Sequence, residues 1–174
     1  GGGWTRERTR GIMKDSRVGA FGAIAVMLAL LAKISLLALL GSLSSTLMCV
    51  ALFAAHVVSR TWPLLTIRLL AHVGDAAGSK SKPLAEQISG AALVVGFIWC
   101  FMALAGVVIA QAAIGFVAYP AFWMPRAATL ALVLAVGFVF SGVAWAWMAR
   151  WFVRRLQGFT GDCLGATQQV GEIA

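Results

Sequence analysis

The stretch GAFGAIAVMLALLAKISLLALL, Gly19 to Leu40, decides the fold class: 22 residues whose only formal charge is Lys33. At 1.5 Å per residue such a helix crosses a hydrocarbon core of about 30 Å. After the Gly41 and Ser42 break, Leu43 to Val58 is again apolar. It runs into Ser59, Arg60, Thr61, Trp62 and Pro63 and resumes through Leu70, which predicts a second span interrupted near its end. Ile88 to Ala110 and Ala127 to Met148 supply a third and a fourth span. Between these two, Gln111 to Arg126 contains Tyr119, Pro120 and Pro125 and is expected to form an interfacial loop or re-entry. The expected fold is all-α, a polytopic transmembrane bundle of four spans plus a truncated final helix, with residues 1–174 as one membrane-embedded domain.

Composition agrees with that fold. Of 174 residues, 61% are hydrophobic and 11% charged, and mean hydropathy is +0.91. A water-soluble domain carries roughly 25% charged residues. The net charge of +8 is not arranged as a basic, polar nucleic-acid surface, so no nucleic acid is expected as a partner. Cys49, Cys100 and Cys163 have neither disulfide-framework nor zinc spacing. The chain begins Gly1, Gly2, Gly3, Trp4 and stops at Ile173 and Ala174 as a new segment starts, the expectation being that it is part of a longer one.

Charge placement sets the expected orientation. Four spans put residues 1–18, 59–87 and 150–174 on one side, with twelve of the fourteen Lys and Arg residues and all six acids. The positive-inside rule makes that side cytoplasmic. Arg126 is alone in the opposite loops, so chemistry needing charge is expected on the cytoplasmic face. Trp62, Trp123, Trp147 and Trp151 fall near predicted span ends, where indole rings favour the headgroup level. The many Gly, Ala and Ser residues within the spans read as close helix packing.

Three clusters could carry chemistry. In Ile12 to Gly22, Asp15 lies between Lys14 and Arg17: either a helix cap with snorkelling flanks, or an anion site in which the cations hold phosphate and Asp15 holds a metal or one of those cations. Arg60 stands beside a continuing apolar stretch and is expensive there unless it meets water, a partner or a ligand, which favours a functional role for it. In Gly158 to Ala166, Thr160, Gly161 and Asp162 read either as a turn and helix start or as a hydroxyl and carboxylate offered on open backbone to phosphate. Lys33 is expected to point into the bundle as a structural contact. His56 and His72 lack ligand or triad spacing, and Cys163 lacks a base; all three read as structural. The Gly74 to Pro83 segment has loop composition.

Taken together, IMKDSRVGAFG (Ile12 to Gly22), VSR (Val58 to Arg60), HVGDAAGSKSKPL (His72 to Leu84) and TGDCLGA (Thr160 to Ala166) resemble the adenosylcobinamide-GDP ribazoletransferase, or cobalamin synthase, family along almost the whole chain. The first and last motifs are the specific ones. The resemblance implies a membrane transferase that joins α-ribazole or its 5′-phosphate to adenosylcobinamide-GDP, releases GMP and uses Mg2+. It implies Asp15, Arg60 and Asp162 as catalytic residues, Lys14, Arg17, Thr160 and Gly161 as phosphate-binding, and Asp15 and Asp162 as metal ligands. The family's acidic Asp-Gly-x-x-Asp type motif is expected upstream of Gly1, and with it the main metal ligands. The alternative from residues alone is a transporter or channel subunit, motivated by Lys33 and Arg60. Against it, the third and fourth spans hold no ionisable residue.

Overall fold

The computed structural model describes residues 19–73 and 88–174. Lys14, Asp15, Arg17 and the Gly74 to Pro83 loop lie outside the described residues. Among the described residues five helices follow one another: α1 (Ala20–Leu43), α2 (Ser45–Leu69), α3 (Gly90–Ala118), α4 (Trp123–Leu156) and α5 (Gly161–Gly171). The first four are long and apolar enough to cross a membrane, as expected of a multi-pass membrane protein. α1 has no buried residue, and its apolar side chains face outward, the inverse of a soluble helix and natural for one bathed in lipid.

Two of the sequence expectations about interruption are corrected. α2 is continuous through Ser59 to Pro63. Proline removes one backbone donor, whereas unwinding the helix in lipid would strand many more polar groups. Ser59 Oγ and Thr61 Oγ1 also donate back to the carbonyls of His56 and Val57, at 3.3 and 3.0 Å. Nor is Gln111 to Arg126 a loop. α3 runs on to Ala118 and α4 begins at Trp123, leaving four residues between them. Pro125 falls in the first turn of α4, where backbone donors have no intrahelical acceptor anyway.

Because α2 continues past Trp62, that indole packs against α3 and α4. Its ring centroid is 4.8 Å from Phe138, 5.7 Å from Trp145 and 5.8 Å from Phe97. Gly142 admits it, since a Cβ there would lie 2.8 Å from the ring. Beneath it Ala54, Val58, Cys100 and Leu104 form one buried cluster. A second, formed by Ile67, Met148, Phe152, Leu156, Phe159 and Cys163, closes the end of the bundle where α1 begins, called here the near face.

The near face is where the chain turns back. α4 ends at Gln157, which adopts a left-handed φ of 59° and bonds the carbonyls of Phe152 and Val153. His72 and Phe159 form an isolated parallel bridge, through Val73 N to Phe159 O and Phe159 N to Ala71 O, both 2.9 Å. Gly158 is required by that approach, because a Cβ would come within 2.2 Å of the Ala71 carbonyl oxygen. From there α5 descends into the bundle between α2 and α4. Cys163 packs in the near-face core, and Gly171, two turns further on, lies against Ser59 and Ser141.

Candidate functional site

The descent of α5 carries Glu172, its C-cap, roughly 15 Å deeper than Asp162 at 1.5 Å per residue. Counted from sequence alone, Glu172 belongs with the near-side acids; the fold instead places it within the bundle. Its side chain is 9% exposed. Lys33 of α1, thirteen residues beyond Ala20, meets Glu172 Oε2 at 2.5 Å and also donates to Gln169 Oε1. Arg60 Nη1 lies 3.8 Å and His56 Nδ1 3.7 Å from Glu172 Oε1. Gln168 Nε2 donates to the same oxygen at 3.3 Å, and Ser59 Oγ reaches it at 3.5 Å. A carboxylate at a helix C-terminus opposes the helix dipole. Here the charges of Lys33 and Arg60 offset that cost.

Close packing brings the group together. Ser59 is fully buried, and Ser141 Oγ donates to the Gly171 carbonyl at 3.2 Å. A Cβ on Gly171 would lie 3.0 Å from Ser141 Oγ and 3.6 Å from Ser59 Cβ, so hydrogen there lets α5 approach both helices. One turn above, Trp145 Nε1 donates to the buried Thr66 hydroxyl at 2.9 Å and ties α4 to α2.

The structure therefore joins Arg60 to Glu172, not to Asp162. Arg60 also donates to the His56 carbonyl at 3.0 Å, and its side chain is 54% exposed. Asp162 and Gly161 are exposed in the first turn of α5 at the near face. Thr160 precedes them as N-cap without a side-chain cap bond, its Oγ1 3.4 Å from Cys163 Sγ. Cys163 is buried core, as expected of a small filler. Sequence reasoning missed His56, which shares a helix face with Arg60 one turn later. It also kept Lys33 apart from the site, and Glu172 went unremarked as a partner for either. The signal was present: an isolated Lys in an apolar span needs a counter-charge, and few acids are available. His72 stacks edge-on against Phe159 at 5.3 Å, consistent with a structural role.

Among the described residues no three His, Cys, Asp or Glu side chains gather as a metal site. Magnesium is commonly held by one or two carboxylates with waters and substrate phosphates. Asp162, which makes no hydrogen bond or ion pair among the described residues, suits one such position. Glu172, ringed by bases, does not. At the opposite end of the bundle, Arg126 lies over the Tyr119 ring at 4.5 Å beside a cavity of about 440 Å³. No acid lines that cavity.

A four-span bundle with a fifth helix folded into it, and a buried carboxylate gathering bases from two spans, defines a polytopic membrane protein with a polar site inside the bundle. The family model described as cobalamin-5-phosphate synthase matches residues 1–174, and the chain belongs to that family. It is 71% identical along its whole length to an adenosylcobinamide-GDP ribazoletransferase of Albidiferax ferrireducens, covering 61% of that relative. Proteins of the same name from Polaromonas sp. and Vibrio cholerae are 52% and 36% identical, over 100% and 99% of the chain and 60% and 57% of theirs. The chain thus spans about three fifths of the relatives it matches. No solved structure matches it. These relatives are named as transferases, and the transporter or channel alternative is set aside.

Proposed function

We propose that this chain forms the larger part of an adenosylcobinamide-GDP ribazoletransferase, working at the cytoplasmic face of a bacterial inner membrane. The observation that carries the reading is the 71% identity, without a break in coverage, to a relative of that name. The one-sided charge layout supports it, since a transfer between water-soluble phosphorylated substrates needs a charged mouth on one face only. The near face is the cytoplasmic one in this reading.

In the proposed reaction a ribose hydroxyl of α-ribazole, or of its 5′-phosphate, attacks the phosphorus attached to cobinamide. The diphosphate bond breaks and GMP leaves. Such phosphoryl chemistry depends on alignment and on neutralising spread negative charge. Arg60, with most of its guanidinium donors open, would clamp phosphate oxygens together with Lys14 and Arg17. Thr160 and Gly161, at the start of α5 and nearer the mouth than Arg60, would offer a hydroxyl and unhindered backbone to a separate phosphate, that of the ribazole substrate. Asp162 would orient the nucleophile or, with Asp15, hold magnesium, which when bound supplies charge neutralisation at the phosphates.

The test is turnover by the full-length protein, followed as conversion of adenosylcobinamide-GDP to the cobalamin product with release of GMP. Arg60→Ala is expected to abolish turnover while the protein stays folded. Absence of product with the unaltered protein would sink the reading, and wild-type rates in the variant would remove Arg60 from the site.

A further inference from the structure

Among the described residues the charges around Glu172 do not balance. Lys33 and Arg60 bring two positive charges to one carboxylate, and the other acid among the described residues, Asp162, is ten residues away along α5. His56 adds an imidazole to the same oxygen as Arg60. Uncompensated positive charge at membrane depth is costly, and ionisable groups there commonly mark a ligand site.

The contacts divide into a firm one and two loose ones. Lys33 holds Oε2 directly, whereas Arg60 and His56 stand at 3.8 and 3.7 Å from Oε1, beyond good hydrogen-bond length. Exposure divides the same way: Lys33 and Glu172 are largely enclosed, and His56 and Arg60, one helical turn apart, are more than half exposed on a shared flank of α2. Arg60 spends one donor on the His56 carbonyl and has no other hydrogen bond among the described residues. A guanidinium carries five donors in a planar fork that matches phosphate oxygens.

Resting on the transferase reading, we infer that Arg60 and His56 bind the diphosphate group of the substrate from this open flank, and that Glu172, tethered by Lys33, is the resident counter-ion with which that anion competes. Lys33 is then a positioning residue. It does not touch the ligand, but it determines how strongly Glu172 is drawn away from Arg60 and His56. The two enclosed residues therefore act in opposite directions on the same affinity, which a purely structural ion pair does not do.

The experiment is calorimetric titration of inorganic pyrophosphate into the full-length protein in phosphatidylcholine nanodiscs. Glu172→Gln removes the competing charge and is expected to tighten binding about ten-fold, the equivalent of roughly 1.4 kcal/mol. Lys33→Gln releases Glu172 toward Arg60 and His56 and is expected to weaken binding several-fold. Arg60→Ala should remove it. If Glu172→Gln alone does not fold, because Lys33 is left unpaired, the same tightening must appear between Lys33→Gln and the double variant Lys33→Gln with Glu172→Gln. Unchanged or weaker binding on loss of the Glu172 charge overturns the inference. Binding is read without turnover, so an active enzyme lacking these shifts sinks this inference alone, while an inactive protein showing them sinks only the transferase reading.

Discussion

Lys33 in the first span and Glu172 at the end of the fifth helix form an ion pair across 139 residues of sequence, inside a bundle that exposes many large apolar side chains. The pair fastens α5 to α1, helices otherwise separated by α2.

Removing Lys33 leaves the enclosed Glu172 carboxylate with only its two loose contacts, Arg60 and His56. Lys33→Met is expected to destabilise the protein by about 3 kcal/mol, and Lys33→Met combined with Glu172→Leu should recover most of that loss. Unfolding in mixed detergent micelles measures both. A double variant less stable than Lys33→Met would show that the pair itself, and not the stranded carboxylate, dominates.

Two glycines on α5 should respond oppositely. Gly171→Val places carbon against Ser141 and Ser59 and should cost about 1–3 kcal/mol by overpacking. Gly165→Ala meets nothing within 4 Å and should stabilise by about 0.5–1 kcal/mol through helix propensity. The same unfolding assay distinguishes them, and equal effects would mean α5 does not pack as described.

The bond from Trp145 Nε1 to Thr66 Oγ1 joins two spans in a site with no exposure at Thr66. A double-mutant cycle with Trp145→Phe and Thr66→Val should give a coupling of about 0.6 kcal/mol, the average for interhelical hydrogen bonds in membranes. Strict additivity would show that the hydroxyl is satisfied elsewhere.

Gly158→Ala drives a methyl group into the Ala71 carbonyl and Val73. The pairing of residues 71–73 with Phe159 should open, and amide exchange at Val73 and Phe159 should accelerate at least ten-fold while α3 keeps its protection. Unaltered exchange at those two amides would mean the bridge tolerates a side chain.

The four spans were legible because each contains a long apolar run, and run length is a local property that lipid enforces without reference to neighbours. Family membership was legible in the order of motifs from Ile12 to Ala166. The continuity of α2 through Pro63 was not legible, because a local breaker is outweighed by the cost of exposing backbone in lipid. Arg60 could be singled out from its apolar surroundings, but the residue it faces could not.

The chain's order of residues alone determined that it is a multi-pass helical protein of this family. Only the tertiary structure decided that α5 folds back between α2 and α4, placing Glu172 within reach of Lys33, His56 and Arg60. Hydropathy is summed along a segment, so it reports which solvent that segment prefers. The meeting of charges separated by more than a hundred residues depends on helix approach distances, and those are governed by Gly171, Ser59 and Ser141 acting together.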